Sequence, residues 1–146
     1  EVITAAKAAC CDEFITNLPN GYDTVLGEGG IHLSGGEAQR ISIARAIIRN
    51  TPILVLDEAT AFADPENERL IQTALRRLMK DKTVIIIAHR LGTIKNSDNI
   101  LVLNNGKLVE SGTHSALLQT NGVYSDMWTR YTQSLEWGIG KETVIS

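Results

Sequence analysis

Ile53-Leu54-Val55-Leu56-Asp57-Glu58-Ala59-Thr60 is a run of four apolar residues closed by two acids. The run is apolar on both alternating faces, which suits a central strand of a parallel sheet. At the C-terminal edge of such a sheet, side chains emerge into the crevice where ligands bind. Two adjacent carboxylates there are costly unless a cation or a water-handling task uses them. A nucleotide phosphate with Mg²⁺ supplies both. Asp57 would then hold the hydration shell of the metal, and Glu58 would orient or deprotonate an attacking water. Taken alone, the pattern also describes a helix cap or a solvated turn.

Downstream, Asp64 and Pro65 make a good N-cap and first helical position. The helix they open places Leu70, Ile71, Ala74, Leu75, Leu78 and Met79 on one stripe, with Arg76, Arg77 and Lys80 in its last turns. Val84–Ala88 is a second fully apolar strand, so strand, helix and strand form a βαβ unit. His89 follows at its tip, beside the acids if the strands are neighbours, where an imidazole can bond a γ-phosphate and a water. A satisfied histidine at a strand end fits as well.

Upstream lies Leu33-Ser34-Gly35-Gly36-Glu37-Ala38-Gln39-Arg40. Ser34 with Glu37 three residues on is a capping box, opening a helix through Ile41, Ile43, Ala44, Ile47 and Ile48 that stops near Asn50. Glycines let a backbone approach an anion, and a helix N-terminus offers free N–H groups. A plain capped helix is the rival reading.

The flanks read more simply. Val2 to Phe14 falls near one helical stripe, ended by Leu18-Pro19-Asn20-Gly21, and a glycine-rich loop spans Tyr22 to Ile31. Ile100–Leu103 and Lys107–Ser111 flank Asn104-Asn105-Gly106, a tight hairpin turn. Helices are expected at Ser115–Thr120 and Val123–Leu135, the second aligning Tyr124, Met127, Trp128, Tyr131 and Leu135 as packing or a partner surface. The stretch from Gly138 reads as a loose tail.

With 146 residues, 43% hydrophobic and 21% charged, the chain has the composition of a globular domain with a real core. The net charge of -3 argues against a mainly electrostatic nucleic-acid binder. Adjacent Cys10 and Cys11 suggest neither a disulfide framework nor a zinc site, and a reducing compartment. The longest apolar runs fall far short of the roughly 18 residues that span a bilayer.

Three weak signals in this order and spacing are jointly specific. The chain resembles the C-terminal part of the nucleotide-binding domain of ATP-binding cassette (ABC) transporters. Leu33-Ser34-Gly35-Gly36-Glu37 matches the signature motif, Ile53–Glu58 the Walker B strand with the catalytic glutamate, Ala59–Asp64 the D-loop region and His89 the switch histidine. LPNGYDTVLGEGG and NGKLVESGTH match the exporter-type branch, and the resemblance runs to about Leu118.

The resemblance implies an α/β fold: an incomplete P-loop NTPase-like (RecA-like) core with part of the ABC helical subdomain. Residues 1–50 would belong to that subdomain, 51–137 to the C-terminal half of the ATPase core, and 138–146 to a flexible tail. It implies an ATPase that uses ATP and Mg²⁺, with Glu58 and His89 catalytic, Asp57 holding Mg²⁺ through water, and Asp64 coupling two sites. The signature, Leu33 to Glu37, would close in trans on ATP held by a second cassette, in a homo- or heterodimer. A transmembrane domain on the same full-length chain would place the cassette on the cytoplasmic face of the membrane. No G-x-x-x-x-G-K-[ST] motif occurs in the 146 residues. The resemblance puts the P-loop before Glu1, so the chain is expected to be a fragment, and inactive alone.

Departures are local. The usual Ser-Ala-Leu-Asp of the D-loop is here Ala61-Phe62-Ala63-Asp64, so a hydroxyl is lost while the Asp stays. The signature continues Glu37-Ala38-Gln39-Arg40 where many relatives have Gln-Arg-Gln-Arg. The wording from Ala61 to Glu68 is similar to members associated with iron–siderophore traffic. Two alternatives use the same residues. A soluble ABC-type ATPase of repair or translation would bring heptads or a basic stripe, and a non-catalytic regulatory cassette would lack Glu58 or His89. Neither pattern matches this chain.

Overall fold

The computed structural model describes residues 1–27, 29–57 and 65–139, with side chains through Leu135. Two compact units divide it, Glu1–Ile87 and Ala88–Ser146.

The first unit opens on two helices, not the single one expected. α1 (Val2–Ala8) stops at Cys10, whose φ of 56° is left-handed, and α2 (Asp12–Thr16) restarts one residue later. The Cys11 N–H donates to Ala6 O and the Cys10 N–H to Lys7 O, the paired bonds of a Schellman stop. Glycine normally holds that position, and a side chain there costs roughly 1 kcal/mol. The stop is reinforced from outside, because Arg77 Nη1 donates to Lys7 O at 3.1 Å and to Ala8 O at 3.0 Å. Cys11 is fully buried as a result, and burial pushes its thiol pKa up, which keeps it an unreactive small residue.

α3 (Gly35–Arg49) begins at Ser34 and ends at Asn50, whose left-handed φ of 46° terminates it, as its sequence predicts. β1 (Ile53–Asp57) pairs in parallel with β2 (Thr83–Ile87), in register from Ile53 opposite Thr83 to Asp57 opposite Ile87. α4 (Pro65–Met79) is the crossover between them, burying Ile71, Ala74 and Leu78 of the expected stripe. Burial of Ile71 and of Leu78 stabilises the unit by about 1.5–3 kcal/mol each, and that of the smaller Ala74 by less. They join Ala6, Ala9, Ile15, Ile43, Ala44 and Leu54 in one core. The other face of the strand pair departs from the expectation of a strand covered on both sides. Val55 is 63% exposed, with Ile53, Ile85 and Ile87 also open, so the described residues of this unit cover one face only.

The second unit is built on a hairpin. β3 (Ile100–Asn104) pairs antiparallel with β4 (Lys107–Gly112) through Asn105 and Gly106, at φ 49° and 74°. Two positive φ values in a two-residue loop make the type I′ turn that Asn-Gly favours. The register shifts between Val102 and Leu103, where Glu110 and Leu108 are their partners, so Val109 is the extra residue of a bulge. Short α5 (Leu91–Ile94) has no counterpart in the expectations. α6 (His114–Gln119) is capped by Thr113, whose hydroxyl accepts from the Ala116 N–H. α7 (Val123–Ile139) runs past the expected Leu135 to take in Gly138 and Ile139, and residues 140–146 of the expected tail lie outside the described residues. Its aromatic stripe is packing. Tyr124 is 1% exposed, its hydroxyl is 2.8 Å from His114 Nδ1, and the Trp128 ring sits 4.4 Å from that imidazole. Ile100, Val102 and Leu117 complete the core.

α7 is started by a side chain from the hairpin. Glu110 Oε1 accepts from the Val123 N–H and Oε2 from the Tyr124 N–H, both at 2.8 Å. A carboxylate on two orphan N–H groups at the positive end of a helix is a strong cap.

Candidate functional site

The N-terminus of α3 is the best-defined element of the site. Ser34 Oγ accepts from the Glu37 N–H at 3.3 Å, and Glu37 Oε2 accepts from the Ser34 N–H at 2.9 Å and from its hydroxyl at 2.8 Å. The reciprocal box fixes the first turn. Ser34 and Gly35 remain exposed, while Leu33 and Glu37 are half-buried.

The two glycines serve different ends. A Cβ on Gly36 would lie 3.1 Å from the Asn67 side chain, so Gly36 lets α3 pack closely on α4. A Cβ on Gly35 would meet nothing within 4 Å among the described residues, and Gly35 has no positive φ to favour glycine. Nothing in the fold of the described residues asks for glycine at 35. An external group that approaches the backbone closely would.

Arg40, one turn beyond the box, was not singled out from sequence. It is 4% exposed, donates from Nη1 to Asn67 Oδ1, and stacks its guanidinium over Phe14 with Cζ 5.2 Å from the ring centroid. Gly36, Arg40, Ile43 and Ala44 are the buried positions of α3. That i, i+4, i+7, i+8 spacing is a helical stripe, so an arginine on the inward face was there to be read.

Asp57 closes β1 at the C-terminal edge of the parallel pair, as expected, beside Ile87 of β2. His89 follows Ile87 by two residues and belongs to the second unit. Glu58 and Asp64 lie outside the described residues. The structure therefore brings Leu33, Ser34, Gly35, Gly36 and Glu37 together at one helix end and sets Asp57 at the sheet edge. Among the described residues no group of three His, Cys, Asp or Glu side chains could hold a metal by itself. A single carboxylate still suits Mg²⁺, which keeps most of its waters and takes one or two carboxylates plus substrate phosphates.

A family model described as ABC transporter matches residues 4–61, which takes in the signature box and β1. The ATP-dependent lipid A-core flippase of Haemophilus influenzae is 57% identical over 129 residues, 88% of this chain. The chain belongs to the ABC transporter family. Its fold is α/β, part of the P-loop NTPase-like nucleotide-binding domain of ABC exporters. A solved bacterial Atm1-family ABC exporter with ATP bound superposes with a TM-score of 0.74 at 50% identity over 88% of this chain. The mycobactin import ATP-binding/permease protein of Mycolicibacterium thermoresistibile is 58% identical over 125 residues, 86% of this chain. The chain spans 22%, 23% and 14% of the flippase, the solved exporter and the mycobactin protein, in that order.

Proposed function

We propose that this chain supplies the signature motif and the hydrolytic half of an ATP-hydrolysing cassette that drives transport across a membrane. The observation that carries the reading is Gly35. It sits exposed at a capped helix N-terminus, open to a side chain, yet it is glycine. A phosphate received on the N–H groups of that turn, with the helix dipole behind them, accounts for it. The family match over the same residues supports this use.

In this reading Ser34, Gly35 and Gly36 close on the γ-phosphate of ATP bound to a second cassette, and Leu33 and Glu37 hold the turn in shape. Asp57 holds a Mg²⁺ hydration shell at the sheet edge. Glu58 takes the proton of the attacking water, and His89 donates to the γ-phosphate as charge builds on it. Mg²⁺, when bound, neutralises phosphate charge. Asp64 links the two sites across the cassette interface. Residues 1–50 act as part of the helical subdomain and 51–137 as part of the catalytic core. The open apolar face of β1 and β2 fits a parallel strand pair that helices cover in a complete cassette. The whole protein would carry a transmembrane domain and keep its cassettes on the cytoplasmic face. Relatives named for lipid A-core and for mycobactin are 57% and 58% identical to this chain, so cargo choice belongs to other parts of the protein.

Gly35→Asp in the full-length protein is the test. The described residues leave room for the side chain, whereas a carboxylate there repels phosphate. ATP should still bind each cassette, but ATP-driven cassette association and turnover should be lost. Unchanged turnover would count against a phosphate-receiving role.

A further inference from the structure

We infer that Arg40 and Asn67 form a positioning pair that locks the signature turn to the crossover helix of the βαβ unit carrying Asp57. The inference rests on the function proposed above.

Asn67 lies in the first turns of α4 and touches α3 twice. Its side chain packs against Gly36 and accepts a hydrogen bond from Arg40. Both contacts fall within the first six residues of α3, at the end that carries the exposed Ser34 and Gly35. Phe14 of α2 holds the guanidinium from the side, so the arginine is fixed by two elements. A buried guanidinium is costly to desolvate, and an apolar side chain would fill the same stripe at no such cost. The polar pair does what apolar contact does not. Apolar surfaces slide, whereas a directional bond to one acceptor fixes how far α3 is advanced along α4. The exposed N–H groups of the signature turn are thereby held at a set position relative to β1, since Leu54 of β1 shares one core with Ile71, Ala74 and Leu78 of α4. A signature that must meet a phosphate needs that precision, because displacement of about 1 Å is enough to impair catalysis a hundredfold.

The pair acts through the signature turn and touches no reacting atom, so its test must separate positioning from folding. In the full-length protein, Asn67→Ala should lower kcat for ATP about tenfold while KM stays within about twofold. Asn67→Asp, which keeps an acceptor oxygen for Arg40, should restore kcat to within about threefold of wild type. Wild-type kcat in Asn67→Ala overturns the inference, as does a loss in Asn67→Asp equal to that in Asn67→Ala. If Asn67→Ala does not fold, Asn67→Gln replaces it, with the amide displaced by one methylene; lowered kcat is expected and wild-type kcat overturns the inference. A wild-type protein that does not turn over ATP overturns the proposed function and this inference together, whereas an active wild type with an indifferent Asn67 overturns the inference alone.

Discussion

Gly122→Ala should destabilise the second unit through a residue it does not itself bond. A Cβ on Gly122 would overlap Glu110 Oε1 and lie 2.8 Å from Glu110 Cδ. The carboxylate must swing away, and with it go the two 2.8 Å bonds it accepts from the Val123 and Tyr124 N–H groups. Loss of a helix cap costs about 1 kcal/mol and up to about 2, and removing the negative charge from the helix end adds about 0.3–1. Glu110 is only half-buried, so the lower part of that range applies to the charge, and about 2 kcal/mol is the total expected. For a domain of this size that lowers the melting temperature by about 4–8 °C. The decisive assay is a double-mutant cycle by thermal unfolding of the complete cassette. Glu110→Ala alone should match Gly122→Ala, and adding the second substitution to the first should cost less than about 0.5 kcal/mol. Additive losses would refute the reasoning, because they would mean that Gly122 does not act through the cap.

Two further outcomes follow from the same geometry. Gly35→Ala should be neutral or stabilising by up to about 1 kcal/mol, since alanine is the better helix former, whereas Gly36→Ala must displace Asn67 and should cost about 1–3 kcal/mol; equal effects in urea unfolding would contradict the division of roles. Tyr22 donates from its hydroxyl to Asp12 Oδ1 at 2.6 Å, and its partial burial, that bond and the Asp12 charge push its pKa up to about 12. Its folded pKa exceeds the unfolded value of 10.0, so its contribution is present below pH 10 and is lost as pH rises through about 12. Absorbance titration should find a late-ionising tyrosine that ionises earlier in Asp12→Asn, and an unmoved titration would exclude the Asp12 bond as a cause.

How much was legible depended on whether the signal was local. The capping box at Ser34 and Glu37, the Asn105-Gly106 turn and the α4 stripe are set by residues within one turn of each other, and they formed where the sequence placed them. The break at Cys10 was hidden because no glycine marks it, and because Arg77, distant in sequence, helps hold the freed carbonyls. Glu110 lies inside the strand expected at Lys107–Ser111, and its role as cap exists only once β4 meets α7. The same holds for Asn67, whose importance comes from Gly36 and Arg40 across the helix pair. Of the candidate site, the capped turn at Ser34 and the position of Asp57 at the end of β1 are where the sequence placed them. The roles of Glu58, His89 and Asp64 come from motif order.

We propose that Glu58 of this chain is the hydrolytic carboxylate of an ATP-driven cassette. Glu58→Gln in the full-length protein, with ATP turnover and ATP binding measured side by side, tests it most directly. Turnover is expected to fall by at least about a hundredfold while ATP remains bound. Hydrolysis at the wild-type rate would contradict it.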